Sequence, residues 1–124
     1  MKKINLAITG CMGRMGKQII SSVRSDKNFR IVALTEMKKS NKKINNVRIS
    51  QNTLETFKKA NVIIDFSIPK CTFEVLKIAS KLNKKVVIGT TGFTKKEENL
   101  IKKFSKKISI LKAGNMSLGI NLLM

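Results

Sequence analysis

Short apolar runs recur along the chain, separated by stretches in which apolar residues return every three or four positions. The runs are INLAI (4–8), FRIVAL (29–34), NVIIDFS (61–67), KVVIGT (85–90) and ISILKAG (108–114), with VRIS (47–50) as a shorter one. A run of this length without polar alternation predicts a strand buried on both faces. The intervening stretches predict helices. Met15, Ile19, Ile20 and Val23 share one face of 14–25, and Leu54 and Phe57 one face of 53–59. Val75, Leu76, Ala79 and Leu82 form the buried stripe of 70–82, and Leu100, Ile101 and Phe104 that of the segment after Thr94. Thr94 with Glu97 three residues on makes a capping box, Pro69 stops the strand before it, and NMSLGINLLM (115–124) begins another helix. EMKKSNKKINN (36–46) is a polar loop. Strand alternating with helix predicts an α/β domain over 1–124: a doubly wound parallel sheet with helices on both faces.

In such a sheet ligands bind beyond the carboxyl ends of the strands. The first strand ends at a turn with three glycines, GCMGRMG (10–16), and a helix follows. Gly10 suits the tight turn, Gly13 lets a pyrophosphate approach the helix N-terminus, and Gly16 lets the helix pack closely on the sheet. Arg14 adds a fork suited to phosphate. The spacing is GxxGxxG rather than GxGxxG, and alone it equally describes a structural turn. Glu36, at the end of the second strand, stands where a carboxylate would accept hydrogen bonds from an adenosine ribose. Together they predict a Rossmann-like dinucleotide site. GTTGF (89–93) and AGNMSLG (113–119) also follow strands and face the same crevice, where small and hydroxyl residues admit a flat ring and a carboxamide. Asp65 is a charge inside an apolar strand; it reads as a strand end near polar backbone rather than as an acid.

Composition narrows the chemistry. The chain has no His and no Tyr, which removes the commonest acid–base side chains, and its two cysteines stand far apart. No metal site and no disulfide framework is expected. No segment is apolar enough to span a membrane, and the short run after Lys2-Lys3 reads as a strand rather than a leader, so a cytoplasmic protein is expected. The net charge of +19 raises the possibility of a nucleic-acid-binding module. Against it, 22 of the 26 basic residues are lysines, scattered in pairs such as Lys58-Lys59 and Lys102-Lys103, and all six aromatics are Phe in apolar contexts. A solvated basic surface without specific nucleic-acid binding is expected.

GCMGRMG, IDFSIP, VIGTTGF and GNMSLGIN, in this order, resemble the N-terminal half of bacterial dihydrodipicolinate reductases, and the resemblance runs over essentially the whole chain. It implies a domain binding NADPH or NADH for reduction of a cyclic unsaturated dicarboxylate in the diaminopimelate route to lysine. By motif, Gly10, Cys11, Met12, Gly13, Arg14 and Met15 would hold the pyrophosphate and Glu36 the ribose. Gly89, Thr90 and Thr91 would line the nicotinamide site, and Ala113, Gly114, Asn115 and Met116 would close over it. Many members place Arg after the ribose-binding acid; here Met37, Lys38 and Lys39 follow, so coenzyme choice stays open, with the lysines as 2′-phosphate contacts. The family's catalytic His-His-Arg segment and Lys belong to a C-terminal substrate and tetramerisation domain. No counterpart stands in these 124 residues, so no catalytic residue is expected here and the chain reads as the inactive coenzyme half of a homotetrameric enzyme. The competing reading is another Rossmann NAD(P)-dependent oxidoreductase, such as an amino-acid dehydrogenase.

Overall fold

A computed structural model of the chain describes residues 3–112. The elements in order are β1 (Ile4–Thr9), α1 (Arg14–Arg24), β2 (Phe29–Thr35), β3 (Lys43–Ile44), β4 (Val47–Ser50), α2 (Leu54–Phe57), β5 (Val62–Asp65), α3 (Pro69–Leu82), β6 (Lys85–Ile88), α4 (Lys95–Phe104) and β7 (Ile110–Lys112). They build one sheet in the order β3-β4-β2-β1-β5-β6-β7. All pairings are parallel except β3 with β4. The chain leaves β1 toward β2 on one side and returns to β5 on the other, so the switch point lies between β1 and β5. This is a Rossmann-like doubly wound sheet.

Successive residues of the central strands face opposite layers. Leu6, Ile8, Val62, Ile64 and Val87 join Ile19, Ile20 and Val23 of α1 in one core. Ala7, Ile63, Val86 and Ile88 join Val75, Leu76 and Ala79 of α3 and Ile101 of α4 in the other. Both faces of β5 are dry, with all four residues buried. Full burial of each such Ile or Val contributes roughly 1.5–3 kcal/mol, which is why an unalternating run is stable only in the middle of the sheet.

The structure departs from the sequence pattern in four places. The β2–β4 connection carries no helix. Its polar segment contains β3, which forms an antiparallel hairpin with β4 through Asn45 and Asn46, both at positive φ (52° and 65°). Asparagine tolerates this conformation, and a two-residue turn of that kind matches strand twist. Second, α2 is only four residues long, and its Leu54 is 45% exposed while Phe57 is fully buried. Third, α3 begins at Pro69 itself, since the first helical position needs no N–H donor. Fourth, Met15 and Leu100, expected on buried faces, are exposed, and Leu82 is only half-buried. The α4 capping box is present in full: Glu97 N donates to Thr94 Oγ1 at 3.1 Å and Thr94 N to Glu97 Oε1 at 2.8 Å. The helix expected over 115–124 lies outside the described residues.

Candidate functional site

The carboxyl ends of β1, β2, β5 and β6 converge on one edge, and the glycine turn leaves β1 at its centre. Its three glycines answer to different constraints. Gly10 has φ +65°, and a Cβ there would stand 1.9 Å from the Phe66 carbonyl oxygen. A Cβ on Gly16 would stand 2.3 Å from the Gly10 carbonyl oxygen, so at this position the close approach is of α1 to the turn, while Ile19, Ile20 and Val23 pack on the sheet. Both positions demand glycine for the fold. Gly13 does not. It is exposed, its φ is −73°, and a Cβ there meets nothing closer than the Gly10 oxygen at 3.4 Å. Gly13 is also the N-cap of α1, and no side chain caps this helix, nor does an acidic residue stand in its first turn. α2 and α4 are capped by threonines, whereas α3, like α1, has no side-chain cap. The free N–H groups and the helix dipole at α1 therefore face the crevice uncompensated, an arrangement that favours an anion.

Glu36 lies closer to this turn than the ribose role requires. Its Oε2 accepts a hydrogen bond from Met12 N at 2.7 Å, and its Oε1 one from Met37 N at 3.3 Å. The carboxylate thus links the end of β2 to the glycine turn. Each oxygen keeps lone pairs for further donors. Arg14 is the first helical residue and is exposed; Met15 is exposed, and Met12 is partly buried against the core. Cys11 is fully buried and serves the turn through its backbone, with Cys11 N donating to the Thr35 carbonyl at 3.3 Å. Burial, reinforced by the Glu36 charge, pushes its thiol from 9.0 up to about 11. Burial likewise raises the Cys71 thiol, with Glu74 and Asp65 adding to the effect.

Two of the clefts that border Glu36 also reach Gly13. One, of about 240 Å³, is lined by Gly10, Gly13, Thr35, Glu36, Asn52 and Ser67 among others. The buried Thr35 Oγ1 and Asn52 Oδ1 on its wall have no hydrogen-bond partner among the described residues. Buried polar atoms left unpaired are costly. The other cleft, of about 510 Å³, runs from Met12 and Gly13 past Glu36 to Lys38, Lys39, Ser40 and Lys42. Lys42 joins the two lysines read from the sequence because the β3–β4 hairpin folds the loop back toward β2.

The GTT segment after β6 is divided in its roles. Thr91 is exposed, whereas Thr90 is buried and its hydroxyl is engaged inside the protein. The space beside Gly89 is taken by the Phe66 ring, 2.0 Å from where a Cβ would stand, so the small residue serves that packing and not an open ring site. Asp65 ends β5 as expected, but side-chain hydroxyls, not polar backbone, surround its fully buried carboxylate. Ala113, Gly114, Asn115 and Met116 lie outside the described residues. Sequence reasoning missed Thr35, Asn52, Ser67 and Cys71 on the cleft walls; uncharged, unremarkable side chains at strand ends carry no signal of their own. Among the described residues there is no cluster of His, Cys, Asp and Glu able to hold a metal, and no helix long and apolar enough to cross a membrane.

Comparison with known proteins bears on the fold and on the family. The family model described as "Dihydrodipicolinate reductase, N-terminus" matches residues 4–116. The 4-hydroxy-tetrahydrodipicolinate reductase of Pelagibacter ubique (strain HTCC1062) is 67% identical over 124 residues, covering 100% of this chain and 48% of the relative. The dipicolinate-bound dihydrodipicolinate reductase from Paenisporosarcina sp. TG-14 superposes with a TM-score of 0.76 at 26% identity, over 94% of this chain and 49% of that one. A homoserine dehydrogenase of S. aureus shares the fold alone, with a TM-score of 0.68 at 20% identity over 93% of this chain and 33% of that one. The chain spans about half the length of the curated relatives it matches.

Proposed function

The chain belongs to the dihydrodipicolinate reductase N-terminal family, and from that premise we propose that it binds NAD(P)H along the carboxyl edge of its sheet, as the coenzyme half of a 4-hydroxy-tetrahydrodipicolinate reductase. One observation carries the reading: neither a contact nor a backbone angle demands glycine at Gly13, which stands at the N-terminus of α1 without a side-chain cap, on the rim shared by two clefts. The pyrophosphate belongs on the N–H groups of that helix. The ribose belongs against Glu36, whose carboxylate oxygens keep lone pairs for its hydroxyls. Cys11 and Met12 contribute backbone, and Arg14 a charge at the rim. The segment Gly89 to Thr91 is assigned to the nicotinamide end, with Gly89 and Thr90 as internal support against Phe66 and Asp65, and Ala113 to Met116 are assigned to closing over it.

The lysines favour NADPH. Lys38, Lys39 and Lys42 border the cleft next to Glu36, where a 2′-phosphate would project, and can offset the Glu36 charge.

A nicotinamide coenzyme supplies the hydride; this chain's residues bind and orient it. Reduction of the cyclic dicarboxylate also needs cations for the substrate carboxylates and a proton donor. With no His and no Tyr here, we assign both to a second domain of the whole enzyme, a cytoplasmic homotetramer. Calorimetric titration with NADPH and NADH tests the binding, and NADPH oxidation with freshly generated substrate tests the division of labour. The 124-residue chain should bind coenzyme and turn over no substrate, while a chain extended by the second domain turns over. Absence of binding to either coenzyme would refute the proposal.

A further inference from the structure

The carboxylate of Asp65 is fully buried at the switch point, and four hydroxyls converge on it. Oδ1 accepts from Thr9 Oγ1 and from Ser67 Oγ, the latter at 2.7 Å. Oδ2 accepts from Thr72 Oγ1 and from Thr90 Oγ1, the latter at 2.9 Å. No Lys or Arg pairs with it among the described residues. An unsupported buried carboxylate is expensive, so a sequence that keeps one here, with four dedicated donors, gains something a valine would not provide. The donors show what is gained. Thr9 is the residue before Gly10, at the start of the glycine turn. Ser67 lines the cleft beside that turn. Thr72 stands in the first turn of α3. Thr90 is the central residue of the GTT segment, and its hydroxyl also accepts from Ser67 N at 2.9 Å, so it is held from two sides. Backbone bonding adds to this, with Gly89 N donating to the Asp65 carbonyl at 2.8 Å.

We propose that Asp65 is a positioning residue that sets the separation between the pyrophosphate turn and the nicotinamide segment, acting through Thr9 and Thr90. The inference rests on the dinucleotide reading above and deepens it. A dinucleotide gains from both of its ends only when the two subsites are held at a fixed spacing. Asp65→Asn replaces one acceptor oxygen with an amide donor facing hydroxyls whose bonds it can no longer accept. The effect falls on the nicotinamide end, because the adenosine end is held separately by Glu36 on Met12.

The test compares NADPH with 2′,5′-ADP, which lacks the nicotinamide. Affinity is read by calorimetry, and the environment of the reduced ring by the enhancement of NADPH fluorescence at saturation. In Asp65→Asn, 2′,5′-ADP should bind within twofold of wild type. NADPH should bind at least fivefold more weakly, with its emission enhancement lost. If Asp65→Asn fails to fold by circular dichroism, Thr90→Val carries the same test by removing one donor, and Thr90→Ser should restore wild-type behaviour. Equal losses for both ligands, or unchanged NADPH affinity and emission, would overturn the positioning role. A wild-type chain that binds neither ligand would instead overturn the dinucleotide reading beneath it.

Discussion

Single residues at the carboxyl edge carry more than one task. Glu36 is the clearest case. Its place after β2 is legible in the sequence, and that place predicts an effect on the ribose alone. The hydrogen bond from Met12 N adds a second consequence, since loss of the carboxylate also frees the glycine turn. Glu36→Ala should therefore weaken both coenzymes by roughly 1–3 kcal/mol, the range for a hydrogen bond to a charged group. Glu36→Gln keeps an acceptor for Met12 N and removes the charge. It should bind more tightly than Glu36→Ala and shift preference toward NADPH; equal affinities of the two variants in calorimetry would deny the link to the turn. Cys11 gives a prediction in pH. Its thiol is protonated more tightly in the fold than at the ordinary value of 9.0, with a folded value of about 11. The folded state thus binds the extra proton between these values, and stability falls as pH rises through that window. Cys11→Ala should flatten the decline above pH 9 in denaturant titrations compared with wild type. An identical slope would show that the buried thiol makes no such contribution. Neither the Glu36 link nor the Cys11 burial is legible in the sequence, because both depend on how the end of β2 meets the turn after β1.

At the scale of elements, the strands were the most legible part. β1, β2, β5 and β6 are apolar runs because both of their faces are covered, and that requirement shows directly in residue type. The helices were legible where caps or long stripes mark them: α4 by Thr94 and Glu97, α3 by Val75, Leu76 and Ala79. The β2–β4 connection was not. A two-residue strand has too few positions to show a period, and the signal for its hairpin, Asn45-Asn46, is buried in a lysine-rich segment. The different caps of α1 and α4 lead to opposite expectations for substitution. Thr94→Ala removes a side-chain cap and should cost about 1 kcal/mol of stability, with coenzyme affinity unchanged, as thermal unfolding and calorimetry would show. A loss of affinity equal to the loss of stability would mean that α4 reaches the site. At α1 we propose that the missing cap leaves the N–H groups to the coenzyme, since a side chain that satisfied them would compete with it.

For the whole molecule, we expect the excess of lysine to act as a solvated surface and not as a nucleic-acid site. Exposed lysines are distributed over α3, α4 and the loops, and the three on the lysine-lined cleft adjoin Glu36 and the glycine turn. Retention of DNA should appear only at low salt and fall steeply as salt approaches ~0.15 M, where screening and lost counterion release remove the advantage. Tight, sequence-selective binding at that salt would require a different account of the charge. The doubly wound sheet follows from the alternation of strand and helix and was legible; Gly13 was also read as the glycine a pyrophosphate would approach, while the spacing alone equally described a structural turn. The distinction needs the φ of Gly10, the contact of Gly16 with the turn, and the open space at Gly13. That space makes Gly13→Ala the most direct measurement of the central claim, the pairing of thermal unfolding with NADPH calorimetry on one variant. The melting temperature should fall by no more than about 5 °C, since the added methyl meets only an ordinary contact and exchanging a glycine N-cap for alanine costs roughly 0.5–1 kcal/mol. NADPH affinity should fall about tenfold or more, roughly 1.4 kcal/mol, because the methyl occupies the approach of the pyrophosphate. Unchanged affinity in a folded Gly13→Ala chain would contradict the account.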